Sequence, residues 1–132
     1  MPAVSIIVPA YNEEVNIVKT INNLLKMDYP DFEIIVVDDG SKDKTYALAA
    51  DAFAQHPSVL VLTKSNGGKA SALNFGISHS KFSFLVCIDA DTQLLPDAVK
   101  KMMMAFHNDE GNIDPHIGAV AGVVKVGNEK NM

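Results

Sequence analysis

Five short apolar runs, separated by segments of helical periodicity, constrain the fold of this chain most strongly. The runs are Val4–Val8, Phe32–Val37, Val59–Leu62, Phe82–Ile88 and Ile117–Val124. They are continuous and rich in branched and aromatic residues, which predicts strands that are buried on both faces. Strands that alternate with helices pair in parallel through right-handed crossovers. We therefore expect a single α/β domain over residues 1–132, with a mostly parallel sheet and helices on both faces.

The segments between the runs contain helix signals. Asn12 suits the N-cap of the first helix, and Glu13 and Glu14 would then lie in its first turn, where the helix dipole favours acids. The second helix is expected from about Asp43 to Gln55 and the third over Lys69–Ser78, while Pro96 suits the first position of the fourth. Helical spacing predicts four buried faces: Ile17, Ile21, Leu24 and Leu25; Ala47, Ala50 and Ala54; Ala70, Leu73 and Ile77; Val99, Met102, Met103 and Phe106.

Composition argues against several classes of protein. The formal net charge is −5, and Lys and Arg form no stripe, so we expect no nucleic-acid partner. No apolar run approaches the roughly 20 residues that span a membrane, and the N-terminus has no signal-peptide pattern. The single cysteine, Cys87, cannot form an internal disulfide. These features predict a cytoplasmic chain that does not span a membrane. Because no helix signal follows the last run, we also expect the chain to be part of a longer protein.

Two aspartates, Asp89 and Asp91, follow the fourth apolar run. Extended chain places residues i and i+2 on the same side, so both carboxylates are expected to face one point while Ala90 faces away. Two such carboxylates share either a proton or a cation. At the carboxyl end of a strand, where open α/β proteins bind ligands, a hard divalent cation is the better prediction.

Polar residues follow the other strands at the same predicted edge. The Pro9-Ala10-Tyr11 corner and Glu13 follow the first run, Asp38 and Asp39 the second, and Gly67-Gly68-Lys69 the third. The two glycines would offer free N–H groups at a helix start, which suits phosphate, and Lys69 would add a positive charge. Neither G-x-x-x-x-G-K-[ST] nor G-x-G-x-x-G is present. The pattern therefore predicts a metal-bridged phosphate ligand, a nucleotide, beside Tyr11 and Asp39.

Each of these residues also has a purely structural explanation. Asp39 suits the turn that Gly40 begins, Glu13 suits a helix start, Asp91 suits a turn before Pro96, and Lys69 suits an exposed helix end. The functional interpretation depends on their convergence at one edge.

Four stretches resemble the N-terminal half of family 2 glycosyltransferases with the GT-A fold. They are Val4–Glu14, Ile35–Ser41, Gly68–Asn74 and Asp89–Asp91, in the family's order, and the resemblance covers about residues 3–125. The stretches after Gly68 and after Val120 look closest to processive synthases of β-linked polysaccharides, such as hyaluronan, chitin and poly-N-acetylglucosamine synthases.

The resemblance implies a role for each matching residue. The corner formed by Pro9, Ala10 and Tyr11 would flank the nucleobase of a UDP-sugar, with Glu13 nearby. Asp39 would read the base, and Asp38 would support the turn or the ribose region. On the other side, Lys69 would lie near the nucleotide, Asp89 and Ala90 would face the ribose and diphosphate, and Asp91 with Asp89 would bind Mg²⁺ or Mn²⁺.

The implied reaction is inverting transfer of the sugar to a glycan or another hydroxyl acceptor, which needs a general base. The family's acidic base pair and its Gln-x-x-Arg-Trp motif have no match here; His107, His116 and Asp109-Glu110 do not fit them. We expect the base beyond Met132, in a parent protein associated with a membrane, and no efficient transfer by this chain alone.

Two alternatives stay open at this point. One is a non-catalytic nucleotide-sugar-binding module. The other is a phosphoacceptor receiver domain, which is disfavoured because its acid pair would follow the first strand, where this chain has Pro9-Ala10-Tyr11.

Overall fold

A computed structural model describes residues 1–108 and 121–125 of the chain. Strands and helices alternate along it, as the apolar runs predict. The elements are β1 Val4–Ala10, α1 Ile17–Leu25, β2 Phe32–Asp39, α2 Thr45–Ala52, β3 Val59–Lys64, α3 Lys69–Ser78, β4 Phe84–Ile88, α4 Ala98–Asn108 and β5 Ala121–Lys125.

The described strands form one sheet in the order β3-β2-β1-β4-β5. The first four are parallel, with Ile6 opposite Ile34 and Ile7 opposite Cys87 in the register. Strand β5 runs antiparallel to β4. A mostly parallel α/β sheet is therefore confirmed. The predicted fifth strand began at Ile117, but residues 117–120 lie outside the described part of the chain.

Helices cover both faces of the sheet because side chains alternate along each strand. Val4, Ile6 and Val8 face the larger core, which α1, α2 and α4 complete. Ile7 faces the opposite side, where Ala72 of α3 packs against it and Val37.

Helix α1 starts later than the sequence predicts. It begins at Ile17 instead of just after Asn12, and the residue at its N-cap, Asn16, makes no side-chain capping bond. Asn12 instead has a left-handed backbone, with φ of 53°. Glu13 and Glu14 therefore precede the helix, and their backbone N–H groups donate to Thr45 at the start of α2 and to Asp43 in the loop before it. The predicted apolar face is correct for Ile17, Ile21 and Leu24, which are buried, and Leu25 is half-buried.

The predicted buried faces of α2 and α3 are wrong in part. In α2, Ala47 and Ala54 are exposed and Ala50 is half-buried, whereas Thr45, Ala49 and Phe53 are buried. Burial of the Phe53 ring removes more apolar area from water than burial of an alanine methyl group, and this fixes the rotation of the helix.

In α3, Ala70 is exposed and Leu73 and Ile77 are half-buried, while Ala72 and Gly76 face the sheet. A Cβ at Gly76 would lie 2.8 Å from Cγ2 of Ile7. Small residues therefore mark this contact, because only they allow the helix to approach the strands so closely.

Helix α4 begins at Ala98, two residues after Pro96. Val99, Met102 and Met103 are buried as predicted, and the Phe106 ring meets Phe84 edge-on at 5.8 Å. The candidate loop residues Asp109, Glu110 and His116 lie outside the described residues. None of the helices in the described part of the chain is long and apolar enough to cross a membrane.

Candidate nucleotide-binding site

A cleft of about 280 Å³ opens at the carboxyl edge of the parallel strands. It lies at the ends of the neighbouring strands β1 and β4. From β1 the chain continues to β2 in one direction along the sheet, and from β4 it continues to β5 in the other. Open α/β sheets bind ligands at such a point. The residues that line it come from four strand ends: Pro9, Ala10, Tyr11, Glu13, Asp39, Lys69, Ala72, Asp89, Ala90 and Asp91. Of the predicted site residues, Asp38, Gly67 and Gly68 do not line this cleft, and Ala72 is a lining residue that the sequence did not suggest.

Asp89 and Asp91 reach the cleft by a different geometry from the predicted one. Strand β4 ends at Ile88, and a turn follows in which the Thr92 N–H donates to the Asp89 carbonyl at 3.0 Å. The extended i, i+2 argument is therefore wrong here. The turn still places both aspartates along the cleft, and Thr20 of α1 anchors it by donating to the Ala90 carbonyl at 2.6 Å.

The two aspartates differ in their partners. Asp89 Oδ1 accepts from Lys69 Nζ at 2.7 Å, and this ion pair spans the cleft from α3 to the β4–α4 loop. Asp91 is exposed, and among the described residues its carboxylate accepts no hydrogen bond and has no cationic partner. Both of its carboxylate oxygens are therefore open to a ligand.

Asp39 is buried to 4% exposure at the end of β2, and its carboxylate is surrounded by donors. Oδ1 accepts from Lys64 Nζ at 3.1 Å and from the Gly67 N–H at 2.9 Å. Oδ2 accepts from the Gly68 N–H at 2.9 Å and, at the longer distance of 3.4 Å, from Asn66 Nδ2. Asp39 thus ties β2 to the β3–α3 loop.

These donors also decide the protonation state of Asp39. Burial alone would raise the pKa of its carboxyl, because it disfavours the charged form. The hydrogen bonds from Gly67, Lys64 and Gly68, together with the positive charge of Lys64, outweigh burial and hold the pKa below its ordinary value. Asp39 is therefore an ionised acceptor at neutral pH.

The prediction that Gly67 and Gly68 offer free N–H groups to a phosphate is wrong for this structure. Both groups donate to Asp39. The reason is the backbone at Gly68, where φ of 95° and ψ of 168° turn the N–H toward the end of β2. Few residues other than glycine adopt this conformation.

Asp38 lies beside the site and does not line it. It is buried, Oδ2 accepts from Thr63 Oγ1 at 2.8 Å, and Oδ1 accepts from the Ser41 N–H at 3.3 Å. These contacts give it a role in holding the turn after β2, which is one of the two roles that the resemblance implied.

Lys64, which contacts Asp39 and does not itself line the cleft, was also missed by sequence analysis. The predicted third strand stopped at Leu62, whereas β3 continues to Lys64, which pairs directly with Asp39 in the parallel register. An acid and a base at the ends of neighbouring strands were the available signal.

Among the described residues, no group of three or more His, Cys, Asp or Glu side chains is arranged to bind a metal ion. Asp89 and Asp91 together offer carboxylate oxygens, the ligand type that Mg²⁺ and Mn²⁺ prefer.

Comparison with known proteins decides the family. The family described as Glycosyl transferase family 2 matches residues 5–128. The chain belongs to glycosyl transferase family 2. This confirms the resemblance that the four sequence stretches indicated and decides against a receiver domain.

Curated relatives of this family 2 chain include poly-beta-1,6-N-acetyl-D-glucosamine synthases of staphylococci. The protein of Staphylococcus epidermidis strain RP62A is 33% identical over 129 residues, which are 98% of this chain and 30% of the relative. That of Staphylococcus aureus strain COL is 33% identical over 132 residues, which are 100% of this chain and 31% of the relative. The chain thus spans under a third of the length of these relatives.

Solved structures share the fold. The mannosyltransferase PcManGT from Pyrobaculum calidifontis, in complex with GDP-Man and Mn²⁺, matches with a TM-score of 0.75 and 31% identity, over 80% of this chain and 32% of that chain. TarS 1-349 of S. aureus, in complex with UDP-GlcNAc, matches with a TM-score of 0.70 and 28% identity, over 82% of this chain and 32% of that chain.

Proposed function

We propose that this chain is the donor-binding part of a glycosyltransferase that binds a UDP-sugar with a divalent cation, Mg²⁺ or Mn²⁺. The observation behind this proposal is the cleft at the carboxyl edge of a family 2 fold, where an aromatic ring, the buried carboxylate of Asp39 and the carboxylates of Asp89 and Asp91 come together. The relatives that bind UDP-GlcNAc, or GDP-Man with Mn²⁺, support the same class of ligand.

The base of the nucleotide is assigned to the side of the cleft that Tyr11 and Asp39 form. Tyr11 is 44% exposed, so its ring is available for a base to contact. Asp39 is an ionised acceptor, and Oδ2, whose bond from Asn66 is long at 3.4 Å, is the atom we assign to a base edge that bears an N–H group, as uracil has. Pro9, Ala10 and Glu13 complete this side.

The diphosphate and the cation are assigned to the side that Lys69, Asp89, Ala90 and Asp91 form. The cation fits these residues, because Mg²⁺ commonly binds one or two carboxylates and completes its shell with substrate phosphates and water. Asp91 would be the main protein ligand, since its carboxylate has no protein partner among the described residues. Lys69 would be free to neutralise a phosphate once the cation engages Asp89.

When bound, the cation would supply Lewis-acid stabilisation of the leaving nucleoside diphosphate. The chain's own residues bind and orient the donor. By the family resemblance, the base that takes the acceptor proton belongs to a later segment, so we propose that this chain binds the donor without efficient transfer. The proposed acceptor is a glycan or another hydroxyl compound, and the proposed parent is a membrane-associated polysaccharide synthase with an inverting mechanism.

The test is isothermal titration of UDP into the chain, with and without Mn²⁺, on the wild type and on Asp91→Ala. Asp97→Ala is the matched control, because it removes the same charge from an ion pair with Lys101 outside the cleft. We expect Mn²⁺ to strengthen UDP binding to the wild type and the control, and Asp91→Ala to lose this gain.

Four outcomes have distinct meanings. A folded wild type that binds no UDP would contradict the proposed ligand, and equal gains from Mn²⁺ in wild type and Asp91→Ala would contradict the metal assignment. Tighter binding of GDP than of UDP would contradict the choice of uracil. Steady sugar transfer to an acceptor by this chain would contradict the proposal that it lacks the base.

A further inference from the structure

The loop that follows β1 is held on the loop that follows β2 by hydrogen bonds in both directions. The Asn12 N–H donates to Ser41 Oγ at 2.8 Å, and the Lys42 N–H donates back to Asn12 Oδ1 at 2.8 Å. One residue later, the Glu13 N–H donates to Thr45 Oγ1, again at 2.8 Å. We call this set of contacts, formed by Asn12, Glu13, Ser41, Lys42 and Thr45, the loop clamp.

Asn12 is central to the loop clamp for two reasons. Its backbone and side chain make one contact each with the second loop, and its φ of 53° turns the chain sharply between Tyr11 and Glu13. Asparagine is one of the few residues besides glycine that adopt this left-handed conformation readily. Alanine at position 12 would lack the side-chain acceptor, and its backbone would be strained in the left-handed conformation.

Tyr11 depends on this backbone for its position. Its hydroxyl makes no hydrogen bond and its ring no aromatic contact with any described residue, and the side chain is 44% exposed. Its neighbour in the chain, Asn12, is therefore what fixes the direction in which the ring enters the cleft.

Resting on the proposed function, we infer that Asn12 is a positioning residue for donor binding: it holds Tyr11 and Glu13 against the base side of the cleft. The second loop begins directly after Asp39, so the loop clamp also fixes Tyr11 relative to the carboxylate that faces the base. Asp89 and Asp91 lie on a separate loop after β4 and take no part in the clamp. Asn12 thus acts on base binding and leaves cation binding unchanged.

The test uses uridine, a neutral probe of the base side, in NMR titrations of the 132-residue chain. Asn12→Ala removes the acceptor and strains the backbone, and we expect it to weaken uridine binding by about tenfold. Asn12→Gly permits the left-handed turn but lacks the acceptor, so about threefold is expected. Asn12→Asp keeps both features and should bind uridine like the wild type.

Asn22→Ala is the matched control, because it removes the same amide side chain from an exposed position of α1 outside the cleft and the loop clamp. It should bind uridine unchanged. Calorimetric titration of UDP supplies the second measurement. The ratio of UDP affinities with and without Mn²⁺ should equal the wild-type ratio in Asn12→Gly and Asn12→Asp, which a general loss of structure would not preserve.

The inference fails if Asn12→Gly and Asn12→Ala, folded by circular dichroism, bind uridine as tightly as the wild type. It also fails if Asn12→Asp binds as poorly as Asn12→Ala, or if the gain from Mn²⁺ falls together with uridine affinity. A folded wild type that binds neither uridine nor UDP would overturn the proposed function itself, and the role of Asn12 with it. Normal wild-type binding with indifferent Asn12 variants overturns the role of Asn12 alone.

Discussion

Replacement of Asp39 by asparagine tests the buried carboxylate that ties β2 to the β3–α3 loop. Oδ1 accepts from Lys64 Nζ and the Gly67 N–H, and Oδ2 accepts from the Gly68 N–H and Asn66 Nδ2. An asparagine amide of the same shape presents NH₂ in place of one oxygen. In either orientation this NH₂ faces two donors, one of which is a glycine N–H at 2.9 Å.

The expected loss follows from the bonds that disappear. A buried donor that loses its partner costs about 1–3 kcal/mol, and bonds to a charged group are at the upper end. Two hydrogen bonds are lost in either orientation, and when the NH₂ replaces Oδ2 one of them is the long bond from Asn66. The expected loss in the free energy of unfolding is about 3 kcal/mol for Asp39→Asn at neutral pH. For a chain of 132 residues this corresponds to a fall of about 10 °C in Tm.

The pH dependence gives a sharper test of the same contacts. The pKa of Asp39 is lower in the folded chain than its ordinary value of about 3.9. The ionised group therefore contributes its stabilisation in full above about pH 5, well above the ordinary pKa, and this contribution is lost as the pH falls through the lower, folded-state pKa. Asparagine does not titrate, so the difference in the free energy of unfolding between wild type and variant should be constant above about pH 5 and should become smaller toward about pH 3.

Urea denaturation followed by far-UV circular dichroism measures both effects. Asp51→Asn is the control, since Asp51 is an exposed carboxylate of α2, and a surface change of this kind should alter the free energy of unfolding by under about 0.5 kcal/mol. A loss under about 1 kcal/mol in Asp39→Asn would refute the network argument. A difference in the free energy of unfolding that is as large at about pH 3 as at neutral pH would refute the assignment of the ionised form.

Three further substitutions test the turn glycines and the ion pair. Gly40→Ala should lower the free energy of unfolding by at least about 3 kcal/mol and Gly68→Ala by about 1–2 kcal/mol. Both glycines have positive φ, but of the two only Gly40 would place its new Cβ in collision, 2.6 Å from the backbone N of Asn66. Equal losses in urea denaturation would contradict the collision. Lys69→Met should change stability by under about 0.5 kcal/mol, since the pair with Asp89 is exposed. On the proposed function it should strengthen Mn²⁺ binding and weaken UDP binding in calorimetric titrations, and a parallel change in both affinities would contradict the assigned charges.

The sequence predicted the layout of the site well because it depends on chain order and strand ends. Alternating apolar runs imply parallel strands, and parallel strands bring their carboxyl ends to one edge. The placement of Tyr11, Asp39, Lys69, Asp89 and Asp91 around one cleft followed from that rule alone.

The partners of those residues were predicted poorly. A sequence assigns donors and acceptors to positions but does not say which of them meet. The N–H groups of Gly67 and Gly68 were expected to be free for phosphate, and in the fold the carboxylate of Asp39, 28 and 29 residues earlier, accepts them. The N–H groups of Glu13 and Glu14 likewise have partners that the sequence did not reveal, since Thr45 and Asp43, 32 and 29 residues later, accept them.

The sequence by itself determined the α/β class, the family and most of the residues that line the cleft, because periodicity and local motifs encode these properties. The tertiary structure alone decided which face of α2 is buried, which way β5 runs, and which acid stays open. Asp39 is enclosed by donors and Asp89 is paired with Lys69, whereas Asp91 is exposed without a partner among the described residues. Such differences arise from contacts between residues far apart in the chain, and the free energy of those contacts overrides local preference.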